Sequence, residues 1–275
     1  MAPVTRTSLS PMTPLEQLRA GRTTRRLVQL ATGLVLYGVS MAMMLRSGLG
    51  LDPWDVFHSG IAAHLPLSFG TVVIVVGALV LLLWVPLRQW PGLGTLANVV
   101  VIGLATDGTL ALLDAPGPLL ARAALLLGGI VLNGFAGALY IGSQFGPGPR
   151  DGLMTGLVRR TGRSFRLVRT SLELTVLATG WLLGGVVGVG TVLYALAIGP
   201  AVQVFLPMFT VPLEDHGVAV EVGTASEGSG VEGQHEGQHG RRPRLAKRLR
   251  GDGEGPARAR DVVDEEHRPV QPAGC

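Results

Sequence analysis

Carboxylates occur at two places in this sequence where an apolar chain must turn back. The segment GLGLDPWD holds Asp52, Pro53 and Asp55, and the segment FGPGPRDG holds Pro149 and Asp151. Strongly apolar runs flank both segments. A carboxylate in such surroundings is used either to cap a helix or to bind a cation, a proton or a polar solute.

The capping interpretation follows from the order of residue types. Asp52 suits the N-cap position and Pro53 the first helical position, while Asp55 falls at the third helical position, where a carboxylate can accept from free backbone amides. Pro149 and Asp151 take the same positions in the second segment, with a glycine as N-cap. Both segments are therefore predicted to begin a short helix.

The second interpretation retains these helices and adds a binding site. In transporters built from inverted repeats, broken helices begin near the bilayer midplane, where they bind ions or substrates. Asp55 and Asp151 would then face one cavity shared by two half-helices that begin at Pro53 and Pro149. The two interpretations are compatible, because one carboxylate is able to cap a helix and to line a pathway.

Glu173 is a further acidic candidate, since it lies about eight residues into an apolar run that begins at Phe165. An acid inside a membrane span is a candidate site by default. Arg169 precedes Glu173 by four residues, so one interpretation is an ion pair along a helix that also packs against Asn98 or Asp107. The other interpretation places Arg169 and Glu173 on a transport pathway.

The composition of the chain is that of a membrane protein. Of the 275 residues, 47% are hydrophobic and 15% are charged, and the mean hydropathy is +0.41. We expect a transmembrane domain over residues 27–213, a basic cytoplasmic segment before it (residues 1–26) and a disordered, charged C-terminal tail after it (residues 214–275). The acids between residues 27 and 213 are only Asp52, Asp55, Asp107, Asp114, Asp151 and Glu173.

The fold class predicted is all-α, with about six transmembrane helices. Each of the runs concerned has about the length that a membrane-spanning helix needs, roughly 20 residues. Two further segments, residues 53–65 and 149–161, are too short to cross and are predicted to be re-entrant or interfacial helices. The predicted spans are residues 27–45, 68–86, 94–113, 119–141, 165–185 and 191–209.

The sequence contains an internal repeat at a shift of 96 residues, the separation of Pro53 from Pro149. The repeated units cover residues 27–107 and 123–203. An ordered set of Gly, Pro, Asp, Ser and Thr identities is not expected from two unrelated apolar runs. The matches include Gly33 with Gly129, Gly38 with Gly134, Asp55 with Asp151, Ser68 with Ser164, and the GLGT turn at residues 92–95 with the GVGT turn at residues 188–191.

The charges indicate that the two units lie upside down relative to each other. Residues 150–169 carry six arginines, whereas the matching residues 54–73 carry none. Opposite charge bias in matching segments, together with the positive-inside rule, predicts two inverted three-helix repeats with both termini cytoplasmic. The expected location is a bacterial cytoplasmic membrane.

Other classes of function have little support in the sequence. The arginines flank apolar runs and no nucleic-acid signature is present, so we expect no nucleic-acid partner. No HExxH, GxSxG or P-loop motif occurs, so we expect no enzyme, no cofactor and no metal site. His58 and His64 are expected at the membrane interface. The expected partners are the lipid bilayer and an unknown small solute or ion, and a homo-oligomer is left open.

Several motifs resemble a known family of bacterial integral membrane proteins, the YczE/YyaS/YitT-like family. The motifs that carry the resemblance are GLGLDPWDV, LSFGT, GLGTLANVVVIGLATD, RDGLMTGLVRRTGRSFRLVRTSLELT and LLGGVVGVGTVLYALAIGP. The likeness covers residues 27–207. It implies a polytopic plasma-membrane protein and assigns no catalytic residue.

The function expected from these features is transport of a small solute or ion through a site between the repeats. The candidate residues are Pro53, Asp55, Pro149, Asp151, Arg169 and Glu173. The alternative is a membrane protein that regulates or binds a partner and transports nothing, because its spans hold few polar residues.

Overall fold

A computed structural model describes residues 21–211, and this part of the chain is helical without a strand. The described residues belong to the first of the two units into which the chain divides, Met1–Ala219. The predicted tail and most of the predicted N-terminal segment lie outside the described residues. The helices are α1 (Thr23–Ser47), α2 (Pro53–Ala62), α3 (Phe69–Trp84), α4 (Leu93–Leu112), α5 (Leu119–Gly142), α6 (Pro149–Thr161), α7 (Phe165–Leu182) and α8 (Val189–Phe209).

Four of these helices, α1, α4, α5 and α8, are long and apolar enough to cross a membrane. Helix α3 is apolar but has only 16 residues, about 24 Å at 1.5 Å per residue. Helix α7 has 18 residues and includes Arg166, Arg169 and Glu173. By length and composition the described residues therefore hold four candidate spans, fewer than the six predicted.

The two short helices form where the sequence predicts them. Helix α6 has the predicted bounds, and the left-handed Gly162 follows its last residue. Helix α2 ends at Ala62, three residues earlier than predicted. Pro66 disfavours the helical conformation of Leu65, the residue before it and the predicted last residue of the helix.

Helix α1 begins four residues earlier than predicted, inside the predicted basic segment. Arg26 is fully buried there, and its guanidinium donates to the carbonyl oxygens of Ser143 at 2.9 Å and Gln144 at 3.0 Å. The guanidinium also lies 4.3 Å from the centre of the Phe145 ring. Arg26 therefore belongs to the packed helical body.

The helix starts follow the predicted shift. Helices α1 to α4 begin at residues 23, 53, 69 and 93, and α5 to α8 begin at residues 119, 149, 165 and 189, each 96 residues later. Equivalent caps recur: Ser68 caps α3 and Ser164 caps α7, while Thr95 and Thr191 accept from the amides of Gly92 and Gly188.

The packing of the helices is partly reciprocal between the two halves of the described chain, since the close contact of α3 with α4 has no comparable counterpart between α7 and α8. Helix α1 packs against α4 and α5, α5 against α8, α2 against α7, and α3 against α4 and α6. Gly33 on α1 lies against Leu139 on α5, whereas Gly129 on α5 lies against Met43 on α1. Residue numbers rise on one helix as they fall on the other, so α1 and α5 run antiparallel.

Candidate functional site

The two short helices begin beside each other. Asp52 caps α2, since its carboxylate Oδ1 accepts from the amide of Asp55 at 2.8 Å, and Pro53 is the first residue of the helix. Helix α6 begins at Pro149 after the extended Gly148 and has no side-chain cap. These positions are the predicted ones for both helices.

A cavity of about 80 Å³ separates the starts of α2 and α6. It has room for several water molecules, since one water needs roughly 10–15 Å³ of such space. The polar or aromatic residues that line the cavity come from helices of both halves of the described chain. They are Tyr37, Asp52, Trp54, Asp55, His58, Asn98, Tyr140 and Arg150, and the apolar lining includes Met41, Val73, Val76, Val80, Val99 and Ile102.

Arg150 links the two half-helices. Its Nη1 lies 3.7 Å from Oδ2 of Asp52, and its Nη2 donates to the hydroxyl of Tyr37 at 2.7 Å. Asp52 is 1% exposed. A buried carboxylate of this kind requires a paired charge or hydrogen bonds, and Arg150 supplies the charge from the other half of the chain.

Asp55 has one side-chain partner. Its Oδ1 lies 3.1 Å from Nδ1 of His58, one turn further along α2. The His58 ring meets the ring of Phe69 edge-on. Asp55 is 1% exposed, and its Oδ2 has no hydrogen-bond partner. The carboxylate therefore presents a buried, unoccupied acceptor in the lining of the cavity.

Trp54 places an unoccupied donor in the same lining. Its indole Nε1 is buried without a hydrogen-bond partner. The equivalent residue in the second half, 96 positions later, is Arg150. The same position of the repeat thus supplies an aromatic donor on α2 and a guanidinium on α6.

Asp151 lies next to the cavity rather than in its lining. The hydroxyl of Tyr140, which does line the cavity, donates to Oδ2 of Asp151 at 3.2 Å. The carboxylate of Asp151 also interacts electrostatically with Arg150. The structure therefore brings Asp55 to the cavity, where Pro149 also lies, and connects Asp151 to it through Tyr140.

Arg169 and Glu173 lie away from the cavity. Arg169 Nε donates to Glu173 Oε1 at 3.0 Å, and the two side chains are 50% and 34% exposed. The ion pair predicted along α7 is present. Asp107, one of its two suggested neighbours, accepts instead from the hydroxyl of Ser68 at 2.5 Å and the amide of Gly70 at 2.7 Å.

Several residues of the cavity lining were assigned to other roles or missed in the sequence. Arg150 was counted among the arginines that set topology, and His58 was expected at an interface but is buried. Tyr37 and Tyr140 carried no prediction. Their signal in the sequence is weak: each is one polar hydroxyl within an apolar span. Among the described residues, His, Cys, Asp and Glu form no group of three that could hold a metal ion.

Comparison with known proteins gives the family but no activity. An uncharacterised protein of Haemophilus influenzae is 44% identical over 173 residues, which are 63% of this chain and 79% of that protein. The uncharacterised membrane protein YczE of Bacillus subtilis is 34% identical over 190 residues, 68% of this chain and 87% of YczE. The uncharacterised protein YyaS of Bacillus subtilis is 24% identical over 180 residues, 64% of this chain and 90% of YyaS.

No solved structure matches the chain. The resemblance stated from the sequence motifs is confirmed by the YczE and YyaS matches. A membrane protein is supported both by the name of YczE and by the apolar helices of the described chain. The model of the family of unknown function DUF6198 matches residues 24–207, and the chain therefore belongs to that family.

Proposed function

We propose that this protein transports a small solute or ion, and that the cavity between α2 and α6 is its binding site. The observation that carries the proposal is the meeting of two half-helices, one from each half of the chain, at a cavity lined by buried charged residues. Buried charges within a membrane protein are costly, and they are typical of substrate and ion pathways. Substrate sites between discontinuous helices are typical of transporters with inverted repeats.

The proposal includes an inverted duplication. Two reciprocal hydrogen bonds support it: the amide of Gly94 donates to the carbonyl of Phe145 at 2.9 Å, and the amide of Gly190 donates to the carbonyl of Leu49 at 2.8 Å. The donor Gly190 lies 96 residues after Gly94, and the acceptor Leu49 lies 96 residues before Phe145. The antiparallel contact of α1 with α5 supports the same arrangement, since equivalent helices in a parallel repeat would run in the same direction.

The proposal also includes six crossings, with α3 and α7 as the two shorter ones. Alternating crossings then place both ends of the described chain on one side of the membrane, together with Arg88 and the arginines of α6. By the positive-inside rule this side is cytoplasmic, and the membrane is a bacterial plasma membrane. In this proposal the protein is not an enzyme.

Cysteine labelling tests the topology. Cys275, the only cysteine of the sequence, is first replaced by serine. Two single-cysteine variants are then made: His64→Cys places a thiol beyond the end of α2, and Arg159→Cys places one near the end of α6. Both positions are exposed. A membrane-impermeant maleimide is expected to label position 64 in intact cells and position 159 only after permeabilisation. Labelling of both from the same side would contradict the inverted arrangement.

Two further single-cysteine variants serve as controls for sidedness. Asp114 lies in the connection between α4 and α5, and Arg88 lies in the connection between α3 and α4; both are exposed. The proposed topology places position 114 with position 64, and position 88 with position 159.

Solid-supported-membrane electrophysiology tests transport. Liposomes that contain the purified protein are exposed to sudden increases in the concentration of one probe at a time. The probes are ammonium, methylammonium, sodium, potassium, glycine, acetate and protons. At least one probe is expected to produce a current that depends on the protein and that Asp55→Asn reduces strongly, while the exposed Asp114→Asn leaves it unchanged. Binding of a ligand at the cavity without any current would favour the alternative, a regulatory membrane protein that transports nothing.

A further inference from the structure

We infer that the ligand of the cavity is a small protonated amine, whose ammonium group binds Oδ2 of Asp55. This inference rests on the location of the binding site given under the proposed function and adds the chemical class of the ligand. It does not require that the ligand be transported.

Three carboxylates at or beside the cavity, those of Asp52, Asp55 and Asp151, share one guanidinium, that of Arg150. Arg150 pairs with Asp52 across the two half-helices, with 3.7 Å between Nη1 and Oδ2. The side chain of Asp55 has only His58 as a hydrogen-bond partner, and its interaction with Arg150 is electrostatic without a hydrogen bond. A ligand with one positive charge would give Asp55 the counter-charge that Arg150 gives to Asp52.

The unoccupied acceptor specifies the kind of cation. Oδ2 of Asp55 is buried and has no donor. An ammonium group carries N–H donors that satisfy such an oxygen in a charge-assisted hydrogen bond. A quaternary ammonium has no N–H donor and would leave the oxygen unpaired.

The rest of the lining fits an amine better than a metal ion or an anion. Tyr37, Trp54 and Tyr140 present aromatic rings, which stabilise ammonium groups through their π faces. A bare alkali or divalent cation would need more oxygen ligands than this lining offers. An anion would meet the carboxylates of Asp52 and Asp55, while the single guanidinium is already engaged.

The size of the cavity limits the alkyl part of the ligand. A volume of about 80 Å³ has room for an ammonium group with a short alkyl chain. Val73, Val76 and Val99 form part of the apolar lining. They would contact the alkyl carbons, because apolar surface removed from water favours binding.

Isothermal titration calorimetry on the full-length protein in lipid nanodiscs tests the inference. The probes are methylammonium, ethylammonium and propylammonium, with tetramethylammonium, sodium, potassium, glycine and acetate for comparison. Saturable binding is expected for at least one primary alkylammonium and for none of the comparison ions. Preferential binding of tetramethylammonium, an alkali ion, the zwitterion or the anion would overturn the inference.

Asp55→Asn is expected to weaken binding of the best alkylammonium by at least about tenfold, because a buried ion pair loses one charge. The matched control, Asp114→Asn, removes an exposed carboxylate outside the cavity and should bind as the unmodified protein does. Unchanged affinity in Asp55→Asn would overturn the inference.

Val76→Leu provides a second test that does not depend on how well Asp55→Asn folds. The larger side chain reduces the cavity, so the preference among alkylammonium ions should move towards the smaller ones. A loss of folded protein would lower binding of all of them equally and is recognised by size-exclusion chromatography. Unchanged relative affinities in folded Val76→Leu would contradict an amine in this cavity.

The binding and current measurements separate the two proposals. Amine binding without a current would leave the ligand assignment standing and remove the transporter. A current carried by another probe, without amine binding, would support the transporter and remove the ligand assignment.

Discussion

Gly94, at the start of α4, donates its amide to the carbonyl oxygen of Phe145, in the turn that leads into α6. The turn of one half of the chain is thereby bound to the last long helix of the other half. Gly146 follows Phe145 with φ of 108°, and Gly50 has φ of 122° at the equivalent place in the first half. These are conformations that glycine adopts more readily than other residues.

Gly94→Ala tests how closely these segments must approach. A Cβ at Gly94 would lie about 2.9 Å from Cβ and the carbonyl oxygen of Phe145, closer than packed atoms tolerate. Overpacking of this kind destabilises a folded protein by about 1–3 kcal/mol. We expect a lower thermal midpoint for Gly94→Ala in detergent, measured by the fluorescence of the tryptophans.

Gly108→Ala is the matched control on the same helix. No atom lies within 4 Å of a Cβ built at Gly108. Replacing a glycine within a helix by alanine is then expected to stabilise the protein by about 0.5–1 kcal/mol. A larger loss of stability in Gly108→Ala than in Gly94→Ala would contradict the described packing.

Arg26→Gln is expected to destabilise the protein strongly. The guanidinium is fully buried and joins the start of α1 to the carbonyl oxygens of Ser143 and Gln144 at the end of α5. Glutamine is too short to retain both hydrogen bonds, and an unsatisfied buried group costs about 1–3 kcal/mol. The measurement is the thermal midpoint in detergent.

The neighbouring Arg25→Gln removes the same charge from an exposed position. Surface substitutions of this kind usually change stability by less than about 0.5 kcal/mol. Equal losses in the two variants would indicate that the charge of the segment matters, rather than the burial of Arg26.

The helix starts, and their repetition after 96 residues, were predictable from the sequence because capping residues and prolines mark them. Proline at the first helical position fixed the starts of α2 and α6, and serine caps marked those of α3 and α7. The extension of α1 to Thr23 was not predictable in this way. Arg25 and Arg26 look alike in the sequence, and only the packing against α5 distinguishes the exposed side chain from the buried one.

The candidate site was predictable in part for a related reason. Asp55 and Asp151 were found because the repeat places them at equivalent positions. The repeat does not reveal which residues join the two halves, and Arg150 is the example: its partners, Asp52 and Tyr37, lie on other helices far away in the sequence.

The repeat also conceals an asymmetry that only three-dimensional contacts reveal. Tyr37 corresponds to Asn133 and Asn98 to Tyr194 at the shift of 96 residues. Tyr194 donates to Oδ1 of Asn133 at 3.0 Å in a buried contact. Their counterparts Tyr37 and Asn98 instead line the cavity. A tyrosine and an asparagine thus form a buried hydrogen bond at one pair of positions, whereas at the equivalent pair they line the cavity.

The pair formed by Asp52 and Arg150 is expected to show strong energetic coupling. Arg150→Gln leaves the buried carboxylate of Asp52 without its partner charge, which is typically destabilising by about 3–5 kcal/mol. Asp52→Asn should cost less, because the Arg150 side chain is 30% exposed and keeps Tyr37 as a partner. The double variant removes both charges and should be more stable than the sum of the single effects predicts. The coupling energy expected for residues in one network is about 0.5–3 kcal/mol.

A double-mutant cycle in detergent measures this coupling, with Asp52→Asn and the exposed Arg159→Gln as the comparison cycle. The comparison pair should be additive within about 0.5 kcal/mol. Additive effects for Asp52 and Arg150 would show that the pair does not join the two half-helices energetically.

Amine binding is expected to weaken as the pH falls. The alkylammonium ion stays protonated at low pH, whereas a proton added to Asp55 removes the charge that the ion binds, and a proton added to His58 supplies a competing cation. The other titratable groups around Asp55 are Asp52 on the same helix, Arg150 and Asp151 on α6, Tyr37 on α1 and Tyr140 on α5. Arg150 and the tyrosines keep their protonation over neutral and mildly acidic pH.

Calorimetric titrations between about pH 5 and pH 8 measure the effect, and one competing proton changes the affinity by at most about tenfold per pH unit. His58→Asn is expected to reduce this slope, because it removes one of the two groups that can bind the competing proton, while Asp55 and the cavity remain. Replacement of the exposed His64 by asparagine should leave the slope unchanged. An affinity that rises as the pH falls would contradict the assignment of Asp55 as the group that binds the ammonium ion.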